Sequence, residues 1–456
     1  MDRKIEAVLE AWYGRSNHKA LVVRGPRQVG KSYSIREFGR KRYRTVIEIN
    51  FEDSPQYKSI FDGDLTAEHI FDQLGFAFDI ETMDGCLLFL DEIQCCDGAY
   101  AALKPLAADG RCDIICSGSV LSEAINRKRL TPVGSVETVH MEPMDFEEFL
   151  WAVGFSHGKT ERIRTHIREM EPFGKLLLGQ LNDLYRRYIA VGGMPEAVLN
   201  YAETGLYANS NRTHMEIYRR ITDDVKRYAS SSADRTRIGQ CLDSVPHQLS
   251  REKSNAFLYS QVSAASGYGA REYGHAVYWL KEAGIVDICR NLEEISEPFR
   301  LKTDGNMFKI YMKDTGMLVS LFGSAAAKGL IDGDFAMNNG AAAENAVAEA
   351  LIRKGYDVYY YSSAPRRMEI DFVLNLNGKL AAIEVKSGRK KRAKSLLKAM
   401  AEDKNIDIAV KVSESDLSVD ENGVYHYPLF GPSFFEECRV LEPSPMGDMD
   451  AIQRML

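Results

Sequence analysis

Short β-branched and apolar runs alternate with amphipathic stretches through the first 153 residues. The runs Ala20–Arg24, Thr45–Asn50, Cys86–Leu90, Asp113–Ser117 and Val136–Met141 have strand length and end in turn residues or charges. Strands separated by helical patterns predict a mainly parallel sheet covered on both faces. From Phe149 to about Tyr228 the period becomes helical, with candidate helices at Glu161–Met170, Leu176–Tyr188 and Met215–Lys226. The Gly192-Gly193-Met194-Pro195 break interrupts them. Three helices are predicted next, at Arg237–Leu249, Tyr259–Ala265 and Arg271–Glu282, followed by a strand at Ile285–Arg290. That is the order of a winged helix-turn-helix. A helix at Ala343–Lys354 then precedes strands at Val358–Ser362, Ile370–Leu376, Leu380–Val385 and Ile406–Val412, with Asn377-Gly378 suited to a tight hairpin turn. The pattern divides the chain into an α/β domain (1–153), a helical region (154–235), a winged-helix-like domain (236–325), a smaller α/β domain (326–440) and a tail (441–456).

A chain of 456 residues is too long for one compact module, and 45% hydrophobic with 27% charged residues is enough for several cores and excludes global disorder. No apolar run approaches the ~20 residues that cross a bilayer, and Met1–Glu10 has no signal-peptide core, so the expectation is a cytoplasmic protein without membrane contact. Eight cysteines without a CxxC pair read as reduced thiols, mostly in the core. A net charge of −7 and a pI near 5.8 argue against nucleic acid over the whole surface, but local basic patches remain. One runs through Lys386, Arg389, Lys390, Lys391, Arg392, Lys394 and Lys398. A sparser one spans Arg212 to Arg237, and Arg251, Lys253, Arg271 and Lys281 surround the winged-helix-like helices. DNA is therefore a candidate partner.

Gly25-Pro26-Arg27-Gln28-Val29-Gly30-Lys31-Ser32 satisfies GxxxxGK[ST] between a predicted strand and a predicted helix, the setting of a phosphate-binding loop. Gly30 lets backbone N–H groups approach phosphate oxygens, Lys31 reaches the β/γ oxygens, and Ser32 places its hydroxyl on Mg²⁺. The nucleotide-binding stretch is taken as Gly25 to Tyr33. Leu87-Leu88-Phe89-Leu90-Asp91-Glu92 is an apolar strand ending in two acids. Asp91 suits the Mg²⁺ on the phosphates, and Glu92 suits a base that polarises water for in-line attack on the γ-phosphate. One predicted strand lies between the two motifs, the arrangement of P-loop ATPases with an added catalytic glutamate.

GPRQVGKS, LFLDEIQ, ICSGS and the run Met141–Phe149, with Tyr188–Glu196, resemble the bacterial and archaeal AAA-type ATPases that carry a carboxy-terminal domain of unknown function. The resemblance spans nearly the whole chain and implies an ATPase that uses ATP and Mg²⁺. It also implies that Ser117 or Ser119, ending the fourth strand, senses the γ-phosphate. One departure concerns the arginine that many relatives carry before the last strand. Here Gly134-Ser135 stands there, with Arg127 and Arg129 upstream, so a finger from a neighbouring copy in a homo-oligomer is left open.

A second constellation follows. Asp371, and thirteen positions later Glu384, with Lys386 two further on, lie on predicted strands, and Glu344 lies on the preceding helix. Two carboxylates from adjacent strands can converge on Mg²⁺, with Lys386 on the same strand face as Glu384 to activate water. Together with Glu369 this D…ExK layout resembles the PD-(D/E)XK nucleases, which implies a restriction-endonuclease-like α/β domain and, by its match to the helical glutamate of Holliday-junction-resolvase-like members, a completing metal ligand at Glu344. The combined expectation is an ATPase that controls a nuclease-like, DNA-acting domain. The alternative is an ATP-dependent switch or scaffold that binds protein or DNA without cutting.

Overall fold

The computed structural model describes residues 1–16, 18–119, 134, 136–229, 231–251, 256–263, 269–333, 339–387 and 393–438. Arg127, Arg129, Ser135, Lys253, Arg389, Lys390, Lys391, Arg392 and the expected tail lie outside the described residues. Strands β1 (Ala20–Gly25), β2 (Val46–Asn50), β3 (Leu87–Asp91), β4 (Asp113–Ser119) and β5 (Val136–His140) form a parallel sheet in the order β2-β3-β4-β1-β5. The sheet expected from the apolar runs is therefore present, with ends shifted by a residue or two. Strand β3 is buried at every position, as a strand covered on both faces must be. Side chains alternate: Leu21 and Val23 face one core with α1 (Lys4–Tyr13) and α2 (Lys31–Arg42), whereas Ala20 and Val22 face the other with α3 (Ala67–Phe78) and α4 (Asp97–Asp109).

Helices α5 (Phe146–Ala152), α6 (His157–Glu169), α7 (Gly174–Val191), α8 (Pro195–Thr204), α9 (Tyr207–Tyr228), α10 (Ser232–Leu249) and α11 (Ala270–Glu282) follow. Pro195 sits in the first turn of α8, where a missing N–H costs nothing, so the Gly-Gly-Met-Pro break separates two helices as expected. The described part of the helix expected at Tyr259–Ala265 is a single 3₁₀ turn, Tyr259–Gln261.

Strands β6 (Val286–Leu292) and β7 (Thr303–Met312) make an antiparallel hairpin, where the expected winged helix-turn-helix would carry its wing. Strand β6 also pairs in parallel with β8 (Tyr359–Ser363). With β9 (Met368–Leu376), β10 (Lys379–Val385), β11 (Ile408–Ser413), β12 (Ser418–Val419) and β13 (Tyr425–Pro428) they form one eight-stranded mixed sheet, ordered β12-β13-β11-β10-β9-β8-β6-β7. The expected boundary at 325/326 thus falls between strands of a single sheet. Helices α12 (Thr315–Phe322), α13 (Ser324–Ile331), α14 (Asn339–Arg353) and α15 (Lys394–Glu402) complete the described fold. The Asn377-Gly378 turn has both residues at positive φ, as its hairpin requires.

The parts share an interior. One apolar core runs from α1 and β1 through α7 and α8 to α14 and β10. A buried ion pair, Arg353 to Glu349 at 2.6 Å on α14, also reaches the Tyr188 hydroxyl on α7, and Arg353 donates to the Met144 carbonyl that follows β5. At the same junction a Cβ on Gly193 would stand 2.1 Å from the Met144 oxygen, so only glycine fits there.

Candidate functional site

The loop after β1 is built by backbone rules. A Cβ on Gly25 would lie 2.0 Å from the Met141 carbonyl oxygen beyond β5, so glycine is required where the strand ends. Gln28 and Gly30 take positive φ, which turns the loop back towards α2. Buried Arg3 donates to the Val29 carbonyl at 2.8 Å and pairs with Glu148 at 3.0 Å, bracing the loop from outside. Arg27 bonds Asp224 of α9 at 3.0 Å, and Tyr33 lies exposed at the rim.

Lys31 is buried, and its ammonium donates to the carbonyls of Gly25 at 2.9 Å and Pro26 at 2.8 Å. Burial lowers it to about 8 against the pull of Glu92 and Asp91. Asp91 ends β3 and collects donors. Its Oδ1 accepts from Ser32 Oγ at 2.9 Å, from Ser117 Oγ and from the Glu92 N–H at 3.2 Å, and its Oδ2 accepts from Asn50 at 3.1 Å. Arg36 stands 4.0 Å away. Glu92 adopts a left-handed backbone, its charge acts on Lys31, and Gln94 Nε2 donates to its carboxylate. Burial raises the Glu92 pKa, partly offset by the Gln94 hydrogen bond and Lys31.

These groups open on a cavity of about 360 Å³. Its far wall was not legible in sequence: Ile217, Arg220 and Asp224 of α9, Trp279 of α11, and Lys313 and Asp314 after β7. Asn50 was missed as well, although its parallel register places it directly beside Asp91. The hard oxygen donors Ser32 and Asp91 suit Mg²⁺, and the loop N–H groups with Lys31 suit polyphosphate.

The second constellation is also brought together. Asp371 and Glu384 lie one step past the Phe372–Ile383 pair of β9 and β10. Each acid is already engaged. Asp371 accepts from the Val385 N–H at 2.7 Å, while Glu384 pairs with Lys386 at 2.6 Å and accepts from the Leu396 N–H at 3.3 Å. Glu344 accepts from Lys309 at 2.9 Å and from the Tyr311 hydroxyl at 2.6 Å, and Lys309 pairs with Glu369 at 3.1 Å. Burial and the Glu344 charge push Asp371 up to about 7. Burial would lower Lys309, but the charges of Glu344, Asp371 and Glu369 outweigh it and hold the ammonium above its ordinary range. Among the described residues no group of three or more His, Cys, Asp or Glu stands where it could hold a metal ion. As folded, this donor set does not fit the divalent ion expected of it.

Residues 17–150 match the model of an AAA domain, residues 182–328 a domain of unknown function (DUF8612), and residues 339–430 another (DUF4143). The amino-terminal domain is thus an AAA-type P-loop ATPase domain, as its motifs led us to expect. The two further regions match models that carry no assigned function, and neither is a nuclease model. No curated protein matches the chain. Among solved structures, the chain is similar to ORC1 of Aeropyrum pernix in complex with DNA (12% identity, 73% of this chain and 91% of that one, TM-score 0.30). It is also similar to AMPPCP-bound DnaA from Aquifex aeolicus (14%, 61% and 86%, 0.26) and to Drosophila ORC bound to DNA (12%, 67% and 90%, 0.26). No helix among the described residues is long and apolar enough to cross a membrane.

Proposed function

We propose that the chain binds ATP with Mg²⁺ in the cavity at Gly25–Tyr33 and hydrolyses it. The observation that carries this reading is the gathering of Ser32, Asn50, Ser117 and the Glu92 N–H on one Asp91 carboxylate, beside a buried lysine held only by backbone carbonyls. Lys31 supplies positive charge to the β/γ oxygens, and Ser32 with Asp91 holds the Mg²⁺, which offsets phosphate charge when bound. Glu92 takes a proton from the attacking water. Its raised pKa suits a base that must later release that proton. Ser117 acts through Asp91, as a positioning residue. Because Asp224, Trp279 and Lys313 wall the same cavity, nucleotide occupancy can be read by the helices and by the sheet that bears β7. Lys31→Ala is expected to lose ATP binding, while Glu92→Gln binds ATP normally and hydrolyses it ~10²–10⁴-fold more slowly. Equal turnover by Glu92→Gln and the parent would remove Glu92 from this role.

For the carboxy-terminal sheet two readings remain: metal-dependent action on DNA through Asp371, Glu384 and Lys386, with Glu344 as a further ligand, or a nucleotide-controlled module that binds a partner without cutting. The ion pairs that already occupy Glu344, Glu369 and Glu384 support the second. A parent protein that cuts linear, supercoiled or branched DNA with Mg²⁺, and loses that activity on Asp371→Ala, would restore the first.

A further inference from the structure

A second cavity, of about 210 Å³, lies between α1, the segment that follows β5, and α14. Ile5, Val139, Met141, Ala346 and Ala350 give it apolar walls. Most of its charged walls are paired: Lys4 with Asp145 at 2.5 Å and Glu147 at 2.7 Å, Arg3 with Glu148 at 3.0 Å, Arg353 with Glu349 at 2.6 Å, and Glu142 with Lys313 at 3.3 Å. Lys354, the residue after α14, differs. It lines the cavity, is only 7% exposed, and its ammonium has no hydrogen-bond or ion-pair partner among the described residues. Glu437, which is exposed, also lines the cavity and forms no ion pair with it. The Lys354 backbone is fixed, because its N–H donates to the Ala350 carbonyl at 3.2 Å and its carbonyl accepts the Cys438 N–H at 2.8 Å. Burial and the Lys4 charge lower its pKa; burial also opposes the Lys4 charge, but Asp145 and Glu147 outweigh it there and raise that pKa. A buried charge left unpaired is costly, and one ammonium among apolar walls is the surrounding of a ligand with one negative charge and an apolar body.

We propose that this cavity binds a short-chain monocarboxylate, with the carboxylate on the Lys354 ammonium and the alkyl tail against α1 and α14. Charge and size select that class. One unpaired ammonium matches one negative charge, while Glu142, Asp145 and Glu148, which line the same cavity, oppose a more highly charged anion such as phosphate. A volume of about 210 Å³ lies below the roughly 300–1,000 Å³ of sites for drug-sized ligands, so the tail is a few carbons long. Only Pro143 lines both this cavity and the nucleotide cavity, so the site does not depend on how ATP is held. Arg3 lines it as well, and Arg3 is the residue that braces the phosphate loop at the Val29 carbonyl.

The test is equilibrium dialysis of labelled butyrate against the nucleotide-free full chain, with butyramide, its neutral isostere, and inorganic phosphate as competitors. The parent is expected to bind one butyrate with a Kd of about 1 mM or tighter, and both competitors to displace it at least about tenfold less well than unlabelled butyrate does. Lys354→Met is expected to weaken binding at least about tenfold. Ala350→Leu, which keeps the lysine and fills the cavity, is expected to weaken it as much. A parent that binds no butyrate below about 10 mM, or that butyramide empties as readily as butyrate, would overturn the proposal. Displacement by phosphate as effective as by butyrate would overturn the ligand class. A folded Lys354→Met chain with the parent's affinity would overturn the role of the lysine, and if that variant does not fold, parent-like affinity in Ala350→Leu overturns the site in its place.

Discussion

The two acid–lysine clusters of this chain hold their charges in opposite ways. In the phosphate loop Lys31 rests on the Gly25 and Pro26 carbonyls, and Asp91 rests on hydroxyls, an amide and a backbone N–H. Dipoles are their nearest partners, with only Arg36 at 4.0 Å from Asp91 as a formal charge among its contacts, and leave them free to act on a ligand. In the carboxy-terminal sheet Lys309 and Lys386 lie against Glu344, Glu369 and Glu384, so each charge is met within the chain. The pKa directions follow: burial carries Lys31 down to about 8, whereas three carboxylates overcome burial and raise Lys309. Residue types alone do not distinguish a waiting site from a satisfied one; the partners of each charge do.

The comparison breaks most visibly on stability. Lys309→Met removes a buried ammonium from between Glu344, which is mostly buried, and Glu369, which is partly exposed, a loss expected to cost about 1–3 kcal/mol. Lys31→Met leaves two backbone carbonyls and the nearby charges of Glu92 and Asp91 behind, but removes a charge that burial disfavours more strongly, so its cost should stay within about 1 kcal/mol. Urea unfolding of the two variants in nucleotide-free buffer measures the difference. Equal losses would mean that the two lysines are held alike.

Legibility followed sequence distance. The phosphate loop, Asp91 and Glu92 could be read because strand, loop and helix are contiguous and each residue type has a local reason. Asn50 could not, because its place beside Asp91 comes from the register of β2 on β3. The cavity's far wall comes from α9, α11 and the end of β7, more than 180 residues beyond the loop, and no local pattern announces it. Asp371, Glu384 and Lys386 were legible as a strand motif with Glu344 before it. Lys309 was hidden in a strand that begins with the polar run Thr303–Asn306 and then breaks apolar continuity with a charge. A lysine between Phe308 and Ile310 was the available signal, since such a residue is buried only with a partner. The merging of the wing-like hairpin with the second sheet was invisible for the same reason: β6 and β8 pair across some 70 residues of chain.

A smaller effect sharpens the comparison through pH. The folded-state pKa of Lys31, about 8, lies below the ordinary 10.5, so between these values the unfolded chain binds the proton that the folded chain has lost. This group therefore adds to stability as pH rises through that window and opposes folding below it. Nucleotide phosphates need the ammonium, so ATP affinity should be level up to about pH 8 and fall by roughly tenfold per unit above it, towards pH 10. Equilibrium binding of a non-hydrolysable ATP analogue from pH 7 to 10 checks this. Lys31→Arg keeps its charge throughout and should abolish the slope. A level parent profile would place Lys31 with Lys309, as a charge already compensated.

The smallest expected effect tests whether neutral donors matter to Asp91. Asn50 Nδ2 donates to Asp91 Oδ2 at 3.1 Å, while its Oδ1 accepts the backbone N–H groups of Glu52 and Asp53 at 2.9 and 3.0 Å, so the amide is fixed at both ends. Asn50→Ala removes one hydrogen bond to a charged acceptor, worth about 1.5 kcal/mol, and leaves Asp91 with its hydroxyl and backbone donors. The Mg²⁺ concentration that half-saturates ATP hydrolysis should rise about tenfold, with little change in the turnover reached at saturating Mg²⁺. Asn50→Asp retains the two turn contacts but sets a second carboxylate against Asp91, so it should draw Mg²⁺ in without nucleotide and weaken ATP binding through like-charge repulsion. Opposite shifts in Mg²⁺ requirement for the two variants would show that Asp91 depends on a neutral donor at position 50. Shifts in the same direction would show that Asn50 serves only the turn at Glu52 and Asp53.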